Sequence, residues 1–128
     1  MSLQDKYRAV LDLGLEFEAQ DGYVEENDGL LRVGGTVQTQ FEKDTMWDKI
    51  KEIGGEEPND IEADIKVAQT DYYHKHTVAK GETLGGIAKK YFKGNVMKYK
   101  DIFAANTDIL KNPDVIHPGQ ELTIPFVS

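Results

Sequence analysis

The chain has no cysteine among its 128 residues, which excludes disulfides, thiolate metal sites and cysteine nucleophiles. Proline is scarce, with four residues. Long apolar runs are missing: the longest hold a few residues, far short of the roughly 20 needed to cross a bilayer. The N-terminus, Met-Ser-Leu-Gln-Asp-Lys-Tyr-Arg, leads into a pattern studded with Asp12, Glu16 and Glu18. A secretory signal needs a basic start and an unbroken apolar core, and neither is present. The expected location is cytoplasmic.

Positive charge is also in short supply over the first half. Residues 1–70 carry 7 basic and 17 acidic side chains, whereas residues 71–128 carry 8 and 6, giving the chain its net −8. An acidic half repels polyanions, so neither nucleic acid nor membrane insertion is expected. It suits a cation, a basic protein partner or plain solvation. Hydrophobic residues make up 39% and charged residues 30%, the composition of a globular protein.

Helical spacing of Leu3, Tyr7, Val10, Leu11, Gly14 and Phe17 predicts a helix from Leu3 to Gln20, stopped by Asp21 and Gly22. A short strand over Tyr23–Glu26 leads into Asn27-Asp28-Gly29, a tight-turn signal. Leu31, Val33, Gly35 and Val37 then alternate as a half-buried strand. Thr39 and Glu42 form a capping-box pattern opening a helix with Phe41, Met46, Trp47, Ile50 and Ile53 on its apolar face. Gly54 and Gly55 end it, and Ile61, Ala63, Ile65 and Val67 alternate as a last strand. The order is αββαβ. That order, with the phrase Asp28-Gly29-x-Leu31-x-Val33-x-Gly35-Thr36-Val37, resembles the BON domain over residues 1–70. Glu26 stands where that family usually has an apolar residue.

Residues 69–75 form a junction without a Pro, Gly or Ser run, so no long flexible tether is expected. A strand around His76–Ala79 follows, then a helix capped by Thr83 that carries Leu84, Ile87, Ala88 and Tyr91. Asn95 is placed to cap a second helix bearing Met97, Tyr99, Ile102, Phe103 and Ala105. Tyr91, Tyr99 and Phe103 are expected in the small core, and Tyr72 and Tyr73 over the junction. After a loop from Asn106 to Gly119, Leu122 and Ile124 form the return strand. The run Pro118-Gly119-Gln120-Glu121-Leu122-Thr123-Ile124-Pro125, with Val78, Gly81, Thr83, Leu84 and Asn106 at their spacings, resembles a LysM domain, a βααβ module, over residues 71–128. His76 replaces the usual tyrosine, Glu82 aspartate and Tyr99 tryptophan. The fold class expected is α+β, in two small domains.

Catalytic signatures are lacking. The stretch Gly81-Glu82-Thr83-Leu84-Gly85-Gly86 is glycine-rich but has no phosphate-binding lysine. The carboxylates are spread over several elements, with no pair marked for acid–base work. His74 and His76 share a strand face with Asp71 close in sequence, yet two histidines fall short of a metal ligand set. Surface or packing roles are the default for them.

Two binding functions are implied by resemblance. LysM domains hold N-acetylglucosamine-containing chains in a shallow groove. Here that groove would be lined by Gly81, Glu82, Thr83 and Leu84 on one side and Asp114, Val115 and Ile116 on the other. The BON-then-LysM order resembles small cytoplasmic bacterial proteins that bind potassium and become more compact. Potassium suits a ring of neutral carbonyls near a helix end, and Ile53, Gly54, Gly55 and Glu57 are the candidates. The reading at this level is a non-catalytic sensing protein. Potassium is the leading ligand, no cofactor is required, and ligand-stabilised docking of the domains is the mechanism. The alternatives are an N-acetylglucosamine oligomer in the groove, or an adaptor whose protein partner docks on the acidic BON face.

Overall fold

The structure is a computed structural model that describes residues 2–126. The chain is a mixed α+β protein that divides into two compact units between Thr70 and Asp71.

The first unit opens with two helices where the sequence predicts one. Helix α1 (Leu3–Lys6) is capped by Ser2, whose Oγ accepts from Asp5 N at 3.1 Å. Helix α2 (Arg8–Glu16) follows after a break at Tyr7. The break turns the Tyr7 ring into the core, where it is fully buried. Helix α2 also ends before Gln20. Glu18 adopts φ +54, Glu18 N donates to Leu15 O and Ala19 N to Gly14 O. This is a Schellman closure with a glutamate at the left-handed position, so the stop is Glu18 and not Asp21-Gly22.

Strand β1 (Gln20–Asn27) therefore starts earlier than the spacing predicts, and an irregularity between Gln20 and Tyr23 interrupts its pairing. It runs antiparallel to β2 (Leu30–Val37) through the Asp28-Gly29 turn, with φ of +53 and +76. These angles give the left-handed pair whose twist matches the flanking strands. Helix α3 (Gln40–Gly54) begins with the expected capping box. Thr39 Oγ1 accepts from Glu42 N, and Glu42 Oε1 accepts from Thr39 N. It crosses to β3 (Ile61–Val67), which lies parallel to β2, in the sheet order β1-β2-β3. Leu31, Val33 and Val37 from β2, Ile61 and Ile65 from β3, and Met46 and Ile50 from α3 close over Tyr7 and Val10.

The second unit pairs β4 (His74–Thr77) with β5 (Glu121–Ile124) antiparallel. Strand β4 starts two residues ahead of the predicted His76, because His74 already pairs with Ile124. Bonding to the return chain continues beyond it through Val78 N to Gln120 O and Gly119 N to Val78 O. Helix α4 (Leu84–Tyr91) is capped by Thr83, whose Oγ1 accepts from Gly86 N at 3.1 Å. The predicted second helix is split. Asn95 caps a 3-10 turn over Val96–Lys98, and α5 (Tyr99–Ala104) continues from it. Ile87, Ala88, Tyr91, Ile102, Leu122 and Ile124 make the core. Tyr99 and Phe103 are only half-buried, since Ile102 takes the inward position between them.

Asn106 is buried at the end of this arrangement. Its amide Nδ2 donates to Ile102 O (2.7 Å) and Thr123 O (2.9 Å), and its Oδ1 accepts from Thr123 N (2.8 Å). The side chain pairs with Thr123 as a neighbouring strand would.

Candidate functional site

A groove of about 400 Å³ lies in the second unit between the N-terminus of α4 and the loop that precedes β5. Glu82, Thr83 and Leu84 line one wall and Asp114 and Ile116 the other. Gly81 and Val115 stand outside this lining. Gly81 sits at φ +86, a turn requirement that explains its identity, and Val115 is 51% exposed. Gly85, Val96, Tyr99 and Pro113 also line the groove, and none of them was singled out for it from sequence. Gly85 carried a signal: a glycine inside a helix marks a close approach, and a Cβ there would lie 3.1 Å from Val96 Cγ1.

The groove's acidic wall is fixed from behind. Glu82 Oε1 accepts from Ala79 N at 2.6 Å and contacts His76 Nε2 at 2.9 Å. These contacts, the backbone hydrogen bond foremost, hold the Glu82 carboxyl below its ordinary range. His76 is buried, and its Nδ1 lies 2.6 Å from the Tyr91 hydroxyl. Burial first, and then the Glu82 charge, push the Tyr91 phenol up to about 12. Thus His76 ties strand, loop and helix together. His74 is half-buried with its ring 5.5 Å from that of Tyr91. Among the described residues no group of three or more His, Cys, Asp or Glu side chains is placed to hold a metal ion.

Tyr73 stacks on Phe92 with ring centroids 6.3 Å apart and meets Phe126 edge-on at 5.8 Å. Tyr72 carries the Lys75 ammonium 4.8 Å above its ring. Both tyrosines thus have partners within their own unit.

The carbonyl candidates sit at the end of α3. Gly55 has φ +93 and donates to Lys51 O, closing the last turn. Gly54 is held against the Tyr7 hydroxyl, with Pro58 Cβ 2.9 Å from where a Cβ would sit. Ile53 and Gly54 are half-buried, while Gly55 and Glu57 are exposed. Packing therefore accounts for glycine at 54, and backbone angle accounts for it at 55.

No helix among the described residues is long and apolar enough to cross a membrane. Comparison with known proteins places a LysM domain at residues 76–125. The chain is similar to an Escherichia coli protein named potassium binding protein Kbp, with 35% identity over 100 residues. That match covers 77% of this chain and 64% of the Escherichia coli protein. A Deinococcus radiodurans protein without an assigned function is 46% identical over 50 residues, which is 39% of this chain and 19% of that protein. The chain spans less than two thirds of the length of either relative, and the LysM match is confined to residues 76–125.

Proposed function

We propose that this protein is a non-catalytic, cytoplasmic potassium-binding protein, and that its first unit is a BON domain. The observation that carries this reading is the 35% identity over 100 residues to a protein named for binding potassium. The 100 aligned residues exceed the 58 of the second unit, so the likeness reaches into the first unit as well. The end of α3 supports the reading chemically. A helix terminus directs its last carbonyls outward with partial negative charge, and such neutral oxygens suit a large monovalent cation. No cofactor is required beyond the ion. Binding acts only through the difference in affinity between conformations of the protein. The test compares melting, scattering radius and backbone amide shifts in potassium and sodium at matched ionic strength. Shifts at Gly54 and Gly55 specific to potassium support the site, and identical behaviour in the two salts refutes the reading.

A second reading is favoured by the groove. It combines Tyr99, a flat apolar ring, with the polar side chains of Glu82, Thr83 and Asp114. This mixture suits a sugar with one apolar face and several hydroxyls. The proposed ligand is an N-acetylglucosamine oligomer. Titration should move amides near Thr83 and Ile116, and unchanged spectra at millimolar oligomer would eliminate it.

A further inference from the structure

Strand β1 forms an edge of the three-stranded sheet, and all eight of its residues are exposed. The two-residue turn makes Asn27 and Leu30 its closing pair. That pair is hydrogen-bonded in such hairpins, and bonding alternates along an antiparallel ladder. Glu25 and Tyr23 consequently bond to their partners Arg32 and Gly34. Val24 and Glu26 turn their backbone N–H and C=O away from β2. An added strand takes up such outward groups.

An apolar trough lies beside this edge. A cavity of about 520 Å³ is lined by Leu11, Gly14, Leu15, Val24 and Met46 among others, and also by Arg8, which pairs with Asp5 at 3.6 Å. Leu15 is 79% exposed and Val24 43%. Val24 pairs with buried Val33, so its side chain lies on the face of the sheet that carries the core. Strand β1 bears Asp21, Glu25 and Glu26 and no basic residue, with Glu16, Glu18 and Asp28 flanking it.

We propose that β1 and this trough form a docking site for an extended segment of a partner protein in which apolar residues alternate with lysine or arginine. The segment would pair with the outward groups of Val24 and Glu26. Side chains alternate between the faces of a strand, so its apolar residues would enter the trough beside Val24 while its basic ones meet Glu25 on the opposite face. Glu26, opposite buried Leu31, lies at the trough's own rim and accepts from Gln4 N. Charge selects this occupant. A second copy of β1 would set carboxylates against carboxylates, which destabilises cross-strand pairs. An anionic lipid surface is repelled by the same side chains. The site shares no lining residue with the groove of the second unit or with the end of α3.

The test uses the full chain, isotope-labelled, and a synthetic peptide of alternating valine and lysine. Amide shifts should centre on Val24, Glu26 and Leu15, amide exchange at Val24 and Glu26 should slow, and binding should weaken as salt rises. A valine–glutamate peptide should bind at least about tenfold more weakly. Val24→Pro removes an outward N–H without breaking a bond to β2 and should cost about tenfold in affinity. Leu15→Glu changes a side chain already in solvent, so it tests the trough even where the proline variant loses stability. Shifts centred elsewhere, or parental affinity in Leu15→Glu, would overturn the proposal. So would a dimer formed through β1 without peptide, or vesicles of phosphatidylglycerol moving the same amides when the peptide does not.

Discussion

The Tyr7 hydroxyl donates to Asp60 Oδ1 at 2.6 Å, joining the break between the two N-terminal helices to the loop ahead of β3. The same carboxylate receives Lys6 Nζ at 2.5 Å. Removing only the hydroxyl, by Tyr7→Phe, should destabilise the first unit by about 1.5–3 kcal/mol, the range for a hydrogen bond to a charged group. Urea denaturation would measure it. The Lys6 hydrogen bond first, and then that of Tyr7, hold the Asp60 carboxyl below its usual range. A depressed folded value adds stability above the ordinary carboxylate range, which is lost as pH falls through the folded value. Tyr7→Phe should therefore also flatten the acid limb of the stability curve.

Gly54→Ala places a methyl group against the Tyr7 hydroxyl and 2.9 Å from Pro58 Cβ. Overpacking of this kind costs about 1–3 kcal/mol. Combining it with Tyr7→Phe frees part of the space, so the double variant should lose less than the two single losses added together. A double-mutant cycle on urea midpoints reads the coupling; strict additivity would contradict the packing described.

Glu18→Gly should stabilise the first unit. A left-handed non-glycine residue costs about 1–2 kcal/mol, which glycine avoids at some loss of unfolded-state entropy. A net gain of about 0.5–1 kcal/mol is expected from thermal unfolding. No gain would mean that the glutamate makes a compensating interaction.

His74 gives the second unit a pH dependence. Burial first, then the His76 and Lys90 charges, push its imidazole down to about 4 from an ordinary 6.5. Between those values the unfolded chain binds more protons than the folded one. Stability from this residue is complete above pH 6.5, falls as pH drops towards 4, and levels off below that. His74→Gln should remove this sloping part when melting is followed across the window. An unchanged slope would assign it to other groups.

The elements with the strongest local chemistry were legible in the sequence. The capping box at Thr39 and Glu42 and the turn at Asp28-Gly29 combine propensity with hydrogen-bond satisfaction, and both formed as read. The break and the end of the N-terminal helix were not legible. Glutamate at 18 gives no warning of a left-handed closure, because such closures are commonly glycine's. Tyr7 also fits a continuous helical stripe, and only its long-range bond to Asp60 accounts for the break. In the groove, Thr83 and Leu84 were located by the resemblance to a LysM domain, while capping and the apolar stripe gave them only structural roles. Tyr99 was assigned to the core because periodicity cannot separate an inward face from a groove-facing one.

Asn106 holds the end of α5 and the middle of β5 through one amide. A carboxylate of the same shape has no N–H to offer, so aspartate there would leave both carbonyls unmet and cannot stand in. The C-terminal strand should accordingly not fray ahead of the helix. Under limited proteolysis the second unit should resist cutting until it opens as a whole.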